Sequence, residues 1–424
     1  MLRHFATRGE PGERLPVRCR NRRASRCPAC SYQYAGDTFH LVRAGLIGGK
    51  GVPGLVAARP RVFVTLTAPG FGRVHRAGKC HRRRSGLCEH GAPAGCGQVH
   101  DDADPQVGQA LCPGCYDYVG HVLWNAHAGR LWKAFGDNVY HHLAQVGGVD
   151  RSAVRRLLRV SAVKVAEFQR RGAVHFHAVV RLDGPHGPGS GPPGWATVGA
   201  LLDVVRTAAA AVALSAPPST AYGTRRLVFG EQLEAHLLSG TDGADLTDGR
   251  IAGYLAKYVT KSVTDAGTLD RRITSATQVR ALRASDHVRA LVGTCWRLGS
   301  LPELQHLRLR AWAHMLGYRG WCVTKTRAYS TTYGALRAER AAHTGAGVLP
   351  AAGVVVERSW HYVSSGHTPA EALIAAGTAS DLARTREIAH DLPPGWAGGA
   401  RREPSRAGGP SPGTDDQGDG SHGG

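Results

Sequence analysis

Two histidines, His175 and His177, lie one residue apart in an apolar segment that runs from Val174 to Arg181. Alternate side chains of a β-strand point to the same face of a sheet, so a strand here would present both imidazoles together, with Phe176 behind them. Two imidazole nitrogens on one face can bind one metal ion. A strand that simply exposes two histidines to solvent is the alternative interpretation of this short pattern.

A carboxylate that could complete such a metal site belongs to Glu167, which precedes His175 by eight residues. Gly172 and the arginines before it predict a hairpin turn between two alternating strands, which would return Glu167 to the side of the histidines. One carboxylate and two imidazoles suit Mg²⁺ or Mn²⁺ and leave coordination positions for a substrate oxygen. Gln169 shares the strand parity of Glu167 and is the second candidate ligand.

A second segment with reactive side chains covers residues 251–261. Helical spacing places Tyr254, Tyr258 and Lys261 on one stripe, with Lys257 beside them. The chain contains 53 basic residues, of which seven are lysines, and two of the seven fall in this segment. A lysine ammonium is a suitable point-charge partner for a phosphate oxygen. An amphipathic helix with a buried aromatic pair is the structural alternative.

A metal site, a tyrosine hydroxyl and a lysine together indicate chemistry on a phosphodiester. The tyrosine oxygen would attack phosphorus, which leaves a 5′-phosphotyrosyl enzyme and a free 3′-hydroxyl. Because the covalent bond conserves the phosphodiester energy, the cut strand could later be rejoined.

These motifs resemble those of the HUH endonucleases, and among them the two-tyrosine rolling-circle replication initiators of plasmids and integrative elements from GC-rich bacteria. Residues 175–177, His-Phe-His, are similar to the metal motif, and residues 63–67 are similar to the strand motif that precedes it. Residues 254–261 closely resemble the two-tyrosine motif of the initiators of isometric single-stranded DNA phages. The cysteine-rich start and residues 317–320, Gly-Tyr-Arg-Gly, extend the similarity to about residues 19–340.

The resemblance implies an α+β fold with an HUH-endonuclease-like central antiparallel sheet flanked by helices. It also implies an enzyme that nicks and rejoins single-stranded DNA at an origin and leaves a 3′-hydroxyl primer. Its partners would be DNA, as a single-stranded or supercoiled origin, and host helicase and replication proteins. The expected side chains are Glu167, His175 and His177 around Mg²⁺ or Mn²⁺, Tyr258 and then Tyr254 as nucleophiles, and Lys257 and Lys261 near the developing phosphorane charge.

Two other functions remain open from the sequence. An HUH relaxase or transposase would use the same chemistry on a different DNA substrate. A non-enzymatic zinc-containing DNA-binding regulator would explain the cysteines and the charge, but it would leave the His pair and the tyrosine segment without a purpose.

Composition limits the choice of partner. The 424 residues carry a formal net charge of +21, with a sequence pI near 10.1, which favours a polyanion such as nucleic acid. No apolar run approaches the roughly 18 to 20 residues that span a bilayer, so no membrane partner is expected. The first residues lack the apolar core of a signal peptide, which predicts a location in the bacterial cytoplasm.

Ten cysteines without an export signal favour reduced thiols and metal over disulfides. Two Cys-x-x-Cys pairs, Cys27 with Cys30 and Cys112 with Cys115, predict one structural zinc site of four thiolates, for which Cys19 could compete. A redox pair and unrelated free thiols are the alternatives. A second zinc site could draw on Cys80, Cys88 and Cys96 with His81, His90 or His100.

The predicted domain organisation follows from these motifs and from composition. We expect a basic arm at 1–26, a zinc-ribbon-like Cys-rich region at 27–118 that contains the first nuclease strand (61–67), and a nuclease core at 119–265. A C-terminal α/β region, largely helical, is expected at 266–390, and a disordered tail at 391–424. Other predicted elements are strands at 158–168, 174–182 and 321–327 and helices at 116–147, 196–214, 231–238, 264–298 and 303–316.

Overall fold

The structure is a computed structural model. It describes residues 27–81, 86–238, 248–260 and 272–343, with shorter pieces at 7–9, 13 and 18–24 and at scattered positions from 361 to 384. The chain divides into two units, Met1–His361 and Tyr362–Gly424. In the second unit, Thr368 and Glu371 form a reciprocal helix N-cap. Lys261, the arginines at 82–84 and the predicted tail at 391–424 lie outside the described residues.

The first unit is a mixed α+β structure, which confirms the predicted class and its central antiparallel sheet. The described helices are of very different lengths, and none is both long and apolar enough to cross a lipid bilayer. They are α1 (Pro28–Ile47), α2 (Tyr118–Val146), α3 (Val154–Leu157), α4 (Val198–Ala210), α5 (Asp248–Thr260), α6 (Ala276–Arg280), α7 (Asp286–Leu298) and α8 (Tyr333–His343).

The described strands are β1 (Arg61–Leu66), β2 (Gly78–Lys79), β3 (Val99–His100), β4 (Arg159–Phe168), β5 (Val174–Asp183), β6 (Leu214–Ser215), β7 (Arg226–Leu227), β8 (Leu233–Leu237) and β9 (Val323–Lys325). Five of them form the central sheet in the order β8-β1-β5-β4-β9, and every neighbouring pair is antiparallel. Two further two-stranded ladders, β2–β3 and β6–β7, lie outside it.

Strand periodicity divides the core into two layers. Even-numbered residues of β5, such as Phe176 and Val180, pack with Trp124 and Leu131 of α2 on one face of the sheet. The odd-numbered Val179 packs on the other face, in the cluster that contains α1 and α5. Each fully buried aliphatic or aromatic side chain contributes about 1.5–3 kcal/mol. The sheet is therefore held between helices on both faces, and the odd-numbered side chains of β5 face α5.

Two buried arginines fix α1 and α5 over the sheet. Arg61 and Arg181 each donate a hydrogen bond to a carbonyl in the last turn of α1, at Leu46 and Gly45. Such donors satisfy carbonyls that have no partner within the helix. Arg61 Nη2 also lies 3.0 Å from a carboxylate oxygen of Asp248, the first residue of α5. A single guanidinium therefore connects the sheet to the start of α5.

The hairpin between β4 and β5 agrees with the sequence prediction. Glu167 lies directly opposite His175 in the register. Gly172 has a φ of +82°, and a Cβ atom there would lie 2.6 Å from a methyl of Leu316, so both the turn and the packing require glycine. The tight turn returns the chain with no slip in register.

Two predicted helices are wrong, and the helix predicted at 264–298 forms, in its described part, two helices, α6 and α7, with a break at 281–285 that ends at the N-cap residue Ser285. Residues 231–238 contain β8, an edge strand that pairs with β1, because Leu233, Ala235 and Leu237 alternate with polar residues at the strand period. Residues 303–316 contain two short 3₁₀ helices, Pro302–Leu307 and Ala313–Met315. Each of these ends at a residue in the left-handed conformation, Arg308 and Leu316, which prevents a continuous α-helix.

A candidate metal and tyrosine site

Glu167, His175 and His177 form one compact ligand set on the α5 face of the sheet. One carboxylate oxygen of Glu167 lies 3.1 Å from His175 Nε2 and 3.2 Å from His177 Nε2. The two imidazole rings are 4.4 Å apart. The structure thus brings together the three side chains that strand parity grouped in the sequence, and their ligand atoms are close enough to hold one ion.

Thr65 orients one of these imidazoles. It lies opposite His177 in the β1–β5 register, and its hydroxyl is 3.1 Å from His177 Nδ1. Burial lowers the pKa of His177, which favours the neutral ring. A neutral His177 that donates its Nδ1 proton to Thr65 has its Nε2 lone pair available for an ion that Glu167 would also bind. Sequence analysis missed this role of Thr65, because it depends on strand register.

The two tyrosines of α5 lie beside the ligand set. The ring centroids of Tyr254 and Tyr258 are 4.5 Å apart. Each ring is also close to His177, at 5.1 Å for Tyr254 and 4.9 Å for Tyr258, and the Tyr258 ring stacks on the imidazole. Burial raises the pKa of Tyr254, so this phenol keeps its proton more tightly than a free tyrosine.

A cavity of about 420 Å³ opens over these side chains. The cavity is lined by the ligand set and both tyrosines, and also by Gln169, Arg22 and Arg170. Gln169 Oε1 accepts a hydrogen bond from Arg171 at 2.8 Å, and it lies outside the group that could bind an ion. The second candidate ligand is therefore near the site but is already used by the hairpin.

The cations that line the cavity differ from those expected. Lys257 is exposed on α5 and does not line the cavity, and Lys261 lies outside the described residues. Arg22 reaches the cavity from the N-terminal segment and donates to the Val259 carbonyl at 2.9 Å. No sequence spacing reveals Arg22, because 237 positions separate it from Val259. Of the two expected lysines, the one that the structure describes, Lys257, does not line the cavity, whereas Arg22 and Arg170 do.

The two Cys-x-x-Cys pairs do not share a site, so the predicted four-thiolate zinc site is corrected. Cys27 and Cys30 lie with Cys19, at the start of α1. Cys112 and Cys115 instead lie just before α2. Because α1 and α2 pack on opposite faces of the sheet, the two pairs cannot reach one ion.

The other metal-ligating side chains lie in the insertion, which we define as residues 67–117 between β1 and α2. These side chains form two groups of four ligands, and such groups could hold a metal ion such as zinc. The sequence suggested a second zinc site among Cys80, Cys88 and Cys96, but the structure divides these three cysteines between the groups. The groups are His75, Cys80, Cys96 and His100, and Cys88, His90, Cys112 and Cys115.

Comparison with known proteins identifies a family for this chain. The chain matches a family model described as RepSA, replication initiator protein, pSAM2, over residues 1–380. A replication initiator protein from Streptomyces ambofaciens is 46% identical over 404 residues, which cover 92% of this chain and 85% of that protein. No solved structure matches the chain.

Proposed function

This chain belongs to the RepSA family of replication initiator proteins, and we propose that it initiates replication by cutting one DNA strand at an origin with a tyrosine nucleophile. One observation carries the proposal: Glu167, His175 and His177 lie on one wall of a cavity with Tyr254 and Tyr258. A regulator that only binds DNA has no need for phenols against a carboxylate and imidazole set. The central sheet is consistent with an HUH-type nuclease.

The ligand set fits a divalent cation. One carboxylate and two imidazoles converge within 3.2 Å, and their chemistry suits Mg²⁺ or Mn²⁺ with positions left for phosphate oxygens. A bound ion would polarise the scissile phosphate and help to hold it in place. If His177 donates its Nδ1 proton to the nearby Thr65 hydroxyl, its Nε2 is available to such an ion.

Tyr258 is the proposed first nucleophile. Its phenolic oxygen, after loss of its proton, forms a bond to phosphorus as the bond from phosphorus to the 3′ oxygen breaks, and that oxygen takes up a proton. The products are a 5′-phosphotyrosyl enzyme and a 3′-hydroxyl that can prime synthesis. In a second transfer, Tyr254 would cut the displaced strand, and the first phosphotyrosyl bond would be rejoined to the new 3′-hydroxyl.

Positive charge supports the binding of the DNA backbone. Arg22 and Arg170 line the cavity, and the whole chain has a formal net charge of +21. Lys257 and Lys261 remain proposed contributors next to Tyr258. Recruitment of a host helicase and replication proteins is part of the same proposal, since a nick with a 3′-hydroxyl needs strand separation and synthesis.

The proposal is tested with single-stranded oligonucleotides that tile the origin region of the replicon, labelled at either end. With Mn²⁺, a 3′-labelled strand should become attached to protein in a form that survives denaturation, and a 5′-labelled strand should become a shorter product that polymerase can extend. EDTA and a double variant with Tyr254→Phe and Tyr258→Phe should abolish both signals. Binding of every oligonucleotide without any covalent product would contradict the proposal.

A further inference from the structure

The insertion has almost no apolar core of its own. Among its described residues from 72 to 111, the buried side chains are those of Cys80 and His100. Leu87 and Val99 are 68% and 73% exposed, and the buried Phe71 and Tyr116 near the two ends of the insertion belong to the core of the main sheet. The regular structure of the insertion is the short β2–β3 ladder. Burial of apolar surface therefore does not explain why this segment folds, and small segments of this kind usually depend on metal or disulfides.

The spacing within the two ligand groups matches tetrahedral coordination. Bonds of about 2.0–2.3 Å from zinc to nitrogen and sulfur give tetrahedron edges of roughly 3.3–3.8 Å. In one group, Cys88 and Cys112 have sulfurs 3.5 Å apart, and His90 Nδ1 lies 3.3 Å from the Cys115 sulfur. In the other group, the Cys96 sulfur lies 3.3 Å from His100 Nε2. The Cys80 sulfur lies farther away, 4.0 Å from His75 Nδ1, and the ligand atoms of each group all lie within 4.8 Å of one another.

A carboxylate outside the group of His75, Cys80, Cys96 and His100 orients one histidine of that group. Asp104 lies 2.7 Å from His100 Nδ1, while His100 Nε2 faces His75 at 3.1 Å and Cys96. A carboxylate that accepts from the far nitrogen of a histidine fixes the tautomer a metal ligand requires. The side chain of Asp104 is used in this way, and its backbone carbonyl accepts from Arg170 at 3.4 Å.

We propose that the insertion is a two-zinc module whose ions replace the missing apolar core. One ion is held by the group that contains His75 and His100. The other ion is held by the group that contains Cys88 and Cys112, and two of that group's four cysteine and histidine ligands, Cys112 and Cys115, lie shortly before α2. Through Asp104, the first ion also steadies Arg170, a cation that lines the cavity. The module therefore links metal binding in the insertion to the position of a cation that lines the cavity. This proposal does not depend on the nicking chemistry.

Zinc content of the purified full chain tests the module. Two double variants, C80S with C96S and C112S with C115S, should each lose one equivalent of zinc, as measured by elemental analysis. Cys295→Ser is the matched control, because this buried thiol on α7 belongs to neither group, and it should lose none. Unchanged zinc content in either double variant overturns the proposal.

Cobalt exchange keeps the module testable if a double variant fails to fold. Co²⁺ taken up by the unaltered chain should show the intense visible bands of tetrahedral coordination together with thiolate charge-transfer absorption. Weak octahedral bands, or no exchangeable metal in the insertion, would overturn the two-zinc assignment.

A different observation carries a second inference. Trp321 is 80% exposed, yet it stands between Gly320 and Cys322, which both line the cavity. Its backbone is held on both sides: Tyr318 Oη donates to the Trp321 carbonyl at 3.0 Å, and the Cys322 carbonyl accepts from Ala166 of β4 at 2.7 Å. Trp321 itself does not line the cavity, so the exposed indole extends from a fixed segment whose two neighbouring residues do.

We infer that Trp321 is a stacking platform for an unpaired base of the DNA strand that enters the cavity. An aromatic face beside cationic side chains is how proteins hold single-stranded nucleic acid without regard to sequence. Arg22 and Arg170 supply those cations in the cavity. The inference rests on the proposed function for its ligand, but it concerns binding and not cleavage.

Affinity for a single-stranded oligothymidylate tests Trp321, with the Tyr254→Phe and Tyr258→Phe double variant as background so that no covalent product forms. Trp321→Ala should weaken binding about 5- to 150-fold, the range that loss of one stacked base produces. Trp321→Phe should recover most of the affinity. Leu55→Ala is the control and should bind normally, because Leu55 is exposed and neither it nor its neighbours in sequence line the cavity.

Two outcomes separate this inference from the proposed function. If Trp321→Ala binds the single strand as tightly as the background protein, the stacking role is excluded, whether or not the protein nicks DNA. If Trp321→Ala weakens binding while no covalent adduct ever forms in the unaltered chain, the stacking role stands and the nicking proposal fails.

Discussion

The rings of Tyr254 and Tyr258 lie 4.5 Å apart on successive turns of α5, at an interplanar angle of 68°. Both rings contact the imidazole of His177. Either phenol is therefore near the same ligand set, and a second transfer needs no second site. The two residues still differ in environment, since burial raises the pKa of Tyr254 and the Tyr258 ring stacks on His177.

We expect the two tyrosines to be separable by substitution. Tyr258→Phe should lower the rate of the first cleavage by on the order of 10³-fold or more, because the nucleophile is lost. Tyr254→Phe should keep the first cleavage and lose the second transfer, which releases a circular strand. Cleavage of labelled single strands and release of circles are the two measurements. Equal loss of both reactions in both variants would contradict the division of roles.

Thr65→Val should weaken metal binding without a change in side-chain shape. Removal of a partner that orients a ligating histidine typically costs 10- to 100-fold in metal affinity. Thr65→Ser keeps the hydroxyl that lies near His177 Nδ1 and is the matched control. Mn²⁺ titration of each protein measures the dissociation constant. An unaltered constant for Thr65→Val would show that Thr65 does not orient His177.

Loss of Asp248 should destabilise the first unit and loosen α5. The guanidinium of Arg61 is 1% exposed, and without its carboxylate partner it would remain buried with uncompensated charge. Asp248→Ala is expected to lower the free energy of unfolding by about 2–4 kcal/mol. Asp137→Ala breaks an exposed pair with Lys133 and should cost under about 1 kcal/mol. Urea denaturation compares them, and equal losses would argue against a special role for the buried pair.

Stability should fall as the pH decreases below about 6.5, the ordinary pKa of histidine. Burial lowers the pKa of His121 and of His287, and the nearby Arg171 guanidinium opposes protonation of both rings. The unfolded chain therefore binds these protons before the folded chain does. The contribution of these histidines to the free energy of unfolding is complete above about pH 6.5. Below that pH, the free energy of unfolding decreases by up to about 1.4 kcal/mol per pH unit for each histidine.

Urea denaturation at about pH 7.5 and pH 5.5 checks this pH dependence against the ordinary histidine pKa. His121→Gln removes one of the two groups, so its free energy of unfolding should change less between the two pH values than that of the unaltered chain. The same pH dependence in both proteins would show that His121 does not contribute.

Much of the candidate site could be predicted from the sequence because it depends on local periodicity. Strand parity grouped His175 with His177, the predicted hairpin returned Glu167 to their side, and helical spacing grouped Tyr254 with Tyr258. The hairpin at Gly172 follows from turn chemistry. These inferences depend only on residues that are near one another in sequence. The structure agrees with the predicted strand register, and the observed ends of these elements lie within a few residues of the predicted ends.

The remaining features depend on contacts between residues that are far apart in sequence, which residue spacing cannot predict. The partner of Cys112 is Cys88 and not Cys27, because helices on opposite faces of the sheet separate the two Cys-x-x-Cys pairs. Thr65 acquires its role only when β1 pairs with β5. Residues 231–238 were predicted to be helical although Leu233, Ala235 and Leu237 alternate at the strand period, and residues 233–237 pair with β1 as a strand. Tertiary pairing decided each of these features.

Peptide mapping of the covalent product tests the central claim most directly. Trypsin cleaves after Arg250, Lys257 and Lys261, so Tyr254 and Tyr258 fall in different peptides, residues 251–257 and 258–261. The chain is incubated with Mn²⁺ and a cleavable single strand, then digested with trypsin and nuclease. The account predicts a residual nucleotide on the Tyr258 peptide after the first cleavage. A nucleotide on a peptide outside residues 251–261, or on none, would contradict it.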